Sequence, residues 1–383
     1  MKYFKYVLRN ASRNKLRSAL TIMSLCICLA MMTVLYGFLT MQDELVPELA
    51  KANRVLVMNR NGFAAELPMT YLDRIRSTKG AKAAVPLSWY IGMYRDEHLP
   101  LPSLATDPQY LFDVWVELKI DPEQLREWQR NRQGCVVDRH TAERRGWKIG
   151  EHIPLKGTRY PFDVDLTLCG IYDGPEYVQD MYFHLDYLDE GLRQKSSPLA
   201  GTTSIFFVKA TSREAIAPLC EEIDERFRNS EHPTMSQSHQ EFLQMFSKFV
   251  GNLQGFIRNI GMAVVFSLTL VAANAMAMSM RERTTEIAVL KAIGFQRGLV
   301  LTLILGESVI ISLVGGVLGV AAGRGLWAVG HKLSPQFIPL AHIAWIVLAY
   351  GIAVAIGIGL ISGVVPAVRA AQLSVIDGLR RLG

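Results

Sequence analysis

The side chains of this 383-residue chain that could carry catalysis or bind a metal are few and scattered. The eight histidines show no ligand spacing, and the closest informative pair, His140 and His152, lies in turn-rich sequence that favours surface positions over metal ligation. Asp163 and Asp165 lie two residues apart on a predicted strand. Two carboxylates so placed could do acid–base work, but a solvated strand face is the simpler interpretation.

No nucleotide-binding or hydrolytic motif occurs anywhere in the sequence. The P-loop pattern G-x-x-x-x-G-K-[ST] is absent, and so are H-E-x-x-H, paired C-x-x-C and the G-x-S-x-G elbow. The sequence therefore predicts a non-catalytic chain that binds no metal, nucleotide or other cofactor itself.

Cysteine usage is uninformative. Cys26 and Cys28 lie in a long apolar run, which leaves Cys135, Cys169 and Cys220 elsewhere, and three cysteines allow at most one internal disulfide. Whether any of these three pairs is left open.

The most informative polar segment is RERTTEIAVLKAIGFQRG, residues 281–298. Thr284 is placed to cap a short helix, Glu286 falls in its first turn and Gly294 is placed to end it. One predicted face carries apolar side chains, Ile287, Leu290 and Ile293. A helix this short is unstable alone, so it must pack on its own chain or on a partner protein.

Four nearly uncharged runs flank this segment and position it. They cover 18–42, 256–280, 299–323 and 343–365, each with about 20 apolar residues, enough to cross a bilayer core as a helix. Since a signal peptide also begins with basic and apolar residues, it is the alternative for the first run. That run is longer than a usual signal core and lacks a following A-x-A site, which favours a retained anchor.

Basic residues cluster in three segments beside the apolar runs: 1–17, 281–298 and 366–383. Together they hold 13 basic and three acidic residues, so the rest of this +6 chain has a net charge of −4. Excess Lys and Arg marks the cytoplasmic side, and a charge so distributed does not indicate nucleic-acid binding. Both termini and 281–298 are thus predicted to be cytoplasmic, and the domain at 43–255 and the short loop at 324–342 periplasmic.

Residues 1–17 alternate apolar and basic side chains at helical spacing. This pattern predicts an amphipathic helix on the inner membrane face, with a plain topogenic tail as the alternative.

The 43–255 domain mixes helix and strand patterns. Strands are predicted at 54–58, 83–94 and 204–209, and helices at 69–76, 121–132 and 212–227. Short strands separated by glycine turns are predicted over 136–170. The pattern indicates an α/β lobe, 43–130 with 200–235, and an inserted β-rich lobe, 131–199.

Polar and small residues inside the predicted spans have two interpretations each. Gly315, Gly319 and Gly323, and likewise Gly359 and Gly363, recur every four residues and allow close helix packing, either within one subunit or at a dimer seam. Glu307 lies about 12 Å along its helix from the predicted start of the third span. It either pairs with a basic residue near the inner face or makes a structural polar contact.

The segment R-E-x-T-x-E-I-x-x-L-K-A-I-G-F closely resembles the signature of the MacB/FtsX-like ABC transporter permease family. In that family the segment forms a coupling helix that contacts a cytoplasmic ATPase subunit. The resemblance implies this role for Arg281, Glu282, Thr285, Glu286, Ile287, Leu290, Lys291, Ala292 and Gly294. The family also has an acidic residue at the position of Glu307. The ending from Pro366 to Arg380 resembles the family tail, but Ser374 and Asp377 depart from it.

The resemblance implies an α-helical membrane protein with four spans and a periplasmic α/β domain built as a porter-like lobe with an inserted β-rich lobe. It implies the bacterial inner membrane as location and a partner ATPase that carries the ATP and Mg²⁺. Two copies, or this chain and a paralogue, would dimerise mainly through spans one and two, and a periplasmic adaptor is a further partner the resemblance allows. Movement of the outer domain would then act on a substrate already in the periplasm.

Two other functions stay open at this point. An FtsX-like protein would use its outer domain to regulate a cell-wall hydrolase, and a membrane scaffold would have no ATPase at all. Lipoproteins, peptides, macrolide-like drugs and glycolipids all fit as substrates, since no pocket in the sequence selects among them.

Overall fold

A computed structural model describes residues 15–62, 64–95, 100–175, 178–333, 338 and 340–374. The described residues within 1–42, 249–334 and 341–383 form one unit, here the membrane unit. Those within 43–248 and 335–340 form a second, here the extramembrane domain. The predicted amphipathic helix lies mostly outside the described residues, as does the tail after Ser374.

Long apolar helices dominate the membrane unit. They are α1 (Lys15–Ala50), α8 (His239–Glu282), α10 (Arg297–Leu333) and α11 (Trp345–Gln372), with the short α9 (Thr284–Ala292) between α8 and α10. Within the part of the chain that the structure describes, four helical stretches are long and apolar enough to cross a membrane: Ser18–Met41, Arg258–Glu282, Arg297–Leu333 and Trp345–Gln372. The four predicted spans are thus confirmed as helices by length and composition.

The third and fourth of these stretches extend well beyond the predicted ends of their spans. The third was predicted to end at residue 323, but α10 continues to Leu333 through part of the predicted loop. The fourth was predicted to end at residue 365, but α11 continues through Pro366 to Gln372. Hydropathy locates the apolar part of a helix, whereas the helix ends where its backbone hydrogen bonding stops. The hydropathy prediction therefore left out polar terminal turns such as the one that contains Arg369.

The extramembrane domain contains one ten-stranded sheet and a two-stranded ribbon. The main sheet has the order β12-β1-β11-β3-β5-β9-β6-β8-β7-β4, and the ribbon pairs β10 with β2. The strands are β1 (Arg54–Asn59), β2 (Leu67–Pro68), β3 (Ala81–Trp89), β4 (Met93–Tyr94), β5 (Ser103–Thr106), β6 (Gly134–Asp138), β7 (His152–Lys156), β8 (Val164–Tyr172), β9 (Met181–His184), β10 (Thr202–Thr203), β11 (Ile205–Ala210) and β12 (Thr234–Ser238). Most neighbours are antiparallel, but β5–β9 and β6–β8 are parallel.

Helices cover both faces of the sheet. They are α2 (Tyr71–Arg76), α3 (Leu111–Val114), α4 (Pro122–Arg130), α5 (Arg139–Arg145), α6 (Leu185–Gln194) and α7 (Ile216–Phe227). One face packs on α3 and α4 through a cluster that contains Leu56 and Trp128. The opposite face packs on α2 and α7 near β1, and on α5 and α6 near β6. Because both faces of β1 are covered, every residue of this strand is buried and its sequence is continuously apolar from Val55 to Met58.

The predicted fold class, four membrane helices with an α/β extramembrane domain, is confirmed, and most predicted elements occur within a few residues of their expected positions. The segment predicted as a β-rich lobe, 131–199, does supply β6 to β9, but it also contains α5 and α6. Gly146, expected in a turn between strands, instead ends α5 in a left-handed conformation, φ +68°. The strands of this segment join the others through the β5–β9 pairing, so hydrogen bonding runs through one sheet.

Candidate functional site

Helix α9 begins directly after α8, with only Arg283 between them. Thr284 was predicted to cap α9, and this is wrong: Arg283 occupies the cap position and makes no side-chain capping bond. The Thr284 hydroxyl instead donates to the carbonyl oxygens of Met280 (3.3 Å) and Arg281 (2.9 Å) at the end of α8. Such back-bonding is common for threonine near helix ends, and it competes with a capping role.

Gly294 ends α9 as predicted. Its φ of +101° is a left-handed conformation that glycine adopts without a Cβ penalty. The Gly294 N–H donates to the Lys291 carbonyl (3.1 Å) and the Phe295 N–H to the Leu290 carbonyl (3.1 Å). These two bonds define a Schellman motif, so the helix stops at a fixed residue.

The apolar residues of α9 do not share one buried face. Ile287 and Ala288 are buried within the membrane unit, and Leu290 is half-buried. Ile293, predicted to lie on the same face, is instead 71% exposed, and Val289 is 44% exposed. Ile293 is six residues from Ile287, and at 3.6 residues per turn the two side chains point about 120° apart around the helix. Helix α9 therefore presents a second, solvent-exposed apolar face.

Lys291 joins α9 to the end of span four. Its ammonium group donates to the carbonyl oxygen of Ala371 (2.9 Å) and to that of Leu373. These carbonyls lie at the C-terminus of α11, where the helix dipole and unpaired carbonyl groups favour a cation. Lys291 thus acts within the chain as a cap for a helix 80 residues away.

Arg283 joins the α8–α9 junction to span three. Its Nη1 donates to both carboxylate oxygens of Glu307, at 3.1 and 3.0 Å, and both side chains are largely buried. Glu307 was left with two interpretations, and the structure gives it a basic partner. A cation and a carboxylate at this separation offset much of the cost of removing each from water.

The remaining residues of the predicted coupling set lie around this helix. Thr285 and Glu286 are half-buried, with Glu286 in the first turn. Exposed positions are held by Arg281, Glu282, Ala292 and Gly294.

The glycines of span three face span one of the same chain. A Cβ at Gly319 would lie 2.7 Å from the Cys26 carbonyl oxygen, and one at Gly323 would lie 2.7 Å from Thr33 Cβ. Gly315 meets Leu25 in the same way, at 2.8 Å. All three contacts lie within one chain, so they support the interpretation that these glycines pack helices within one subunit rather than at a dimer interface.

Spans three and four approach equally closely. A Cβ at Gly359 would lie 2.8 Å from Val309 Cα, and one at Gly363 would lie 2.8 Å from Ser308 Cβ. The buried hydroxyls of Ser308 and Ser362 are 3.2 Å apart and hydrogen-bonded. Small side chains allow this approach, and a polar bond then stabilises it where lipid supplies no hydrophobic drive.

The scattered polar residues of the extramembrane domain do not assemble a site. The His152 Nδ1 lies 3.5 Å from Asp165 Oδ2 in an exposed pair on neighbouring strands, and His140 is exposed at the start of α5. Asp163 accepts a backbone hydrogen bond from Gly157 at 3.0 Å in the adjoining turn. Among the described residues, no group of three or more His, Cys, Asp or Glu side chains could hold a metal ion.

The cysteines of the domain are unpaired. Cys135 and Cys169 lie buried on the adjacent strands β6 and β8, and Cys220 is half-buried on α7. Burial raises the pKa of each of these three thiols, so none is a reactive thiolate at neutral pH.

Comparison with known proteins places these features in a family. The profile of the MacB-like periplasmic core domain matches residues 18–226, more than half of the chain, and the profile of the FtsX-like permease C-terminal region matches residues 260–375. This chain belongs to the MacB/FtsX-like ABC transporter permease family. It is therefore the permease type of subunit, and α9 lies within the matched C-terminal region of that family.

Two curated relatives and one solved structure illustrate the range of similarity. An ABC transporter permease of Methanocaldococcus jannaschii is 25% identical over 398 residues, covering 98% of this chain and 96% of that protein. The macrolide export ATP-binding/permease protein MacB of Agrobacterium fabrum is 38% identical over 108 residues, which cover 28% of this chain and 16% of that protein. The periplasmic region of MacB from Actinobacillus actinomycetemcomitans covers 51% of this chain, with a TM-score of 0.38 and 14% identity, and 92% of that structure is matched.

Three features of the permease were missed from sequence. Arg283 was counted as a topogenic charge but not as the partner of Glu307, although an intramembrane acid calls for a nearby cation. Lys291 was assigned only to the partner surface, and no local pattern indicates its contact with α11. Val289 was not singled out, although an apolar residue outside the predicted apolar face of a short helix indicates a second contact surface.

Proposed function

We propose that this permease couples a separate cytoplasmic ABC-type ATPase to movement of its extramembrane domain on the other side of the plasma membrane. The observation that carries the proposal is the exposed apolar face of α9, Val289 and Ile293, on a helix fastened to two spans. Exposed apolar side chains beside charged ones are typical of a protein-binding surface.

The attachments of α9 supply a route for force. Lys291 ties α9 to the end of α11, and the Arg283–Glu307 pair ties its start to α10. A push on α9 would therefore move the inner ends of spans three and four rather than only bend a loop. Glycine contacts between α10 and α1, such as that at Gly319, would carry the movement to span one.

Transport in this proposal needs no hydrophilic pore through the bilayer. Glu307, the acidic residue inside the third span, is paired with Arg283, so its carboxylate is not available to bind a transported ion or solute. The substrate would be extracted or exported by the outer domain after it has reached that side. ATP and Mg²⁺ would bind to the ATPase subunit.

The topology and assembly belong to the same proposal. Clustering of Lys and Arg beside the spans supports cytoplasmic termini and an extracytoplasmic domain. Two permeases, either identical or paralogous, would bind two ATPase subunits. A periplasmic adaptor is the further partner to look for.

The test is co-purification of an ATPase with the full chain from its native membrane. Ile293→Asp and Val289→Asp place a charge on the exposed face of α9, where little packing is lost, and both are expected to abolish ATPase retention. Ile149→Asp makes the same change at a similarly exposed position of the extramembrane domain and is the matched control.

Equal ATPase recovery with Ile293→Asp and with Ile149→Asp would defeat the coupling proposal. Failure of the wild-type chain to retain any P-loop ATPase would favour the scaffold alternative. Capture of a cell-wall hydrolase by the extramembrane domain would favour the regulatory one.

A further inference from the structure

A groove opens at one end of the membrane unit, where α8, α9 and α11 meet. Its volume is about 140 Å³, several times the roughly 30 Å³ that one water molecule occupies in the liquid. The end of α8, the start of α9 and the last two turns of α11 form its walls. The groove lies apart from the exposed apolar face of α9, because Ile287 and Thr284, not Val289 and Ile293, line it.

The groove is apolar along its length and cationic at its mouth. Ala277, Met280 and Val365 are among the apolar residues that line it, and Arg281 and Arg369 are its two charged residues. None of its described lining residues is acidic. Both arginines are exposed, and neither forms an ion pair with a described carboxylate within 4 Å.

The level of the two arginines matches a membrane surface. Arg281 is the second-last residue of the apolar stretch Arg258–Glu282, and Arg369 lies three residues before the end of Trp345–Gln372. Residues one turn inward, such as Ala277 and Val365, lie within the apolar stretches. The two arginine charges thus lie at the depth of the lipid headgroups, and the groove wall one turn deeper in the membrane is apolar.

Helix ends at this groove would normally repel an anion, since C-terminal carbonyl groups carry partial negative charge. Here several carbonyls at these helix ends already accept a hydrogen bond from a side chain. Lys291 donates to the Ala371 and Leu373 carbonyls of α11, and Thr284 donates to those of Met280 and Arg281 in α8. The charged side chains that line the groove are both arginines, and the planar fork of donors of an arginine matches the geometry of a phosphate group.

We propose that this groove binds an anionic phospholipid, with the phosphate between Arg281 and Arg369 and an acyl chain along Ala277 and Val365. The occupant is a lipid rather than a free anion because most of the lining is apolar and much of it belongs to the membrane-spanning stretches. The groove lies on a different surface of α9 from Val289 and Ile293, the exposed pair proposed to contact the ATPase. A lipid held here would lie against both α8 and α11.

The experiment is native mass spectrometry of the purified full chain in detergent. Phosphatidylglycerol and phosphatidylcholine with identical acyl chains are the probes. The wild-type chain is expected to retain phosphatidylglycerol roughly 10- to 30-fold more strongly, on the basis of about 1 kcal/mol per basic residue at a membrane surface. Arg281→Gln/Arg369→Gln is expected to remove that preference, and Arg369→Lys to keep part of it.

The matched control is Arg297→Gln/Arg324→Gln, which removes two exposed charges outside the groove and should leave the preference intact. Thermal unfolding without added lipid checks that every variant folds. Inorganic phosphate at the same concentration is expected not to raise the unfolding temperature of the wild-type chain.

The proposal is overturned if Arg281→Gln/Arg369→Gln keeps the wild-type lipid preference, or if the control pair loses it equally. Stabilisation by inorganic phosphate alone would identify a simple anion site instead. Retention of lipid together with loss of ATPase binding would assign the two arginines to the partner protein.

Discussion

Both units of this permease hold a largely buried arginine against a glutamate, and the pairs at Arg283 and Arg54 are built differently. In the membrane unit, Arg283 reaches both carboxylate oxygens of Glu307. In the extramembrane domain, Arg54 donates through Nη1 to one oxygen of Glu117 at 2.5 Å, and its Nε and Nη2 have no hydrogen-bond partner. Its guanidinium lies 4.9 Å from the centre of the Trp115 ring.

The difference follows from the solvent around each unit. Lipid offers no water to satisfy a polar group, so the membrane pair must satisfy its carboxylate internally. The domain pair is bounded by water on one side, because the Glu117 side chain is 23% exposed, and the Trp115 ring replaces part of the lost hydration of Arg54. Breaking each pair tests this contrast.

The largest effect is expected for Glu307→Ala. It leaves Arg283 buried without a counter-charge, which costs about 3–5 kcal/mol when a buried pair loses one partner. The free energy of unfolding of the full chain in detergent measures this. Arg283→Met/Glu307→Met removes both charges and should recover most of the loss. A single variant as stable as the wild type would show that the pair contributes nothing.

A smaller loss, about 2–3 kcal/mol, is expected for Glu117→Ala, because water reaches this pair and Trp115 still covers Arg54. The same unfolding measurement applies, with Arg54→Met/Glu117→Leu as the charge-free control. If Glu117→Ala proves more damaging than Glu307→Ala, the contrast drawn between lipid and water surroundings is wrong.

The next effect depends on pH. Burial raises the pKa of Asp180 in the extramembrane domain to about 7. The Tyr182 hydroxyl donates a hydrogen bond to the Asp180 carboxylate at 3.2 Å, which opposes this rise in part. Because the folded carboxyl keeps its proton while the unfolded one ionises near pH 4, this group makes the domain less stable as pH rises from about 4 to 7. Asp180→Asn should therefore raise the unfolding temperature more at pH 8 than at pH 4. An equal rise at both values would rule out a raised pKa.

Glycine packing gives the smallest pair of effects. Gly319→Ala places a Cβ 2.7 Å from the Cys26 carbonyl oxygen and should destabilise the membrane unit by about 1–3 kcal/mol. Gly325 has no atom within 4 Å of its Cβ position, so Gly325→Ala is the control and should stabilise α10 by about 0.5–1 kcal/mol. Hydrogen exchange of α10 amides reports both changes, and equal protection in the two variants would contradict the close contact.

Sequence patterns predicted the secondary-structure elements better than the contacts that individual side chains make. The strand at Arg54–Asn59, the end of α9 at Gly294 and the four apolar helices follow from local composition and backbone preference. The predicted face of α9 was wrong at Ile293, because a side chain six residues from Ile287 points about 120° away from it around the helix. The predicted cap at Thr284 was wrong because a second helix end was in reach of its hydroxyl.

The class of this protein can be assigned from its amino-acid sequence: hydropathy marks the spans, basic residues predict the side of each loop, and one motif between spans two and three indicates the family. Which residues contact one another depends on the folded chain. Lys291 donates to the carbonyl oxygen of Ala371, 80 residues further along the chain, and Glu307 pairs with Arg283. Ten strands from both predicted lobes form one sheet. The reason is physical: hydropathy and turn preference act over a few neighbouring residues, whereas ion pairs, helix caps and strand pairing are satisfied by whatever the folded chain brings within reach.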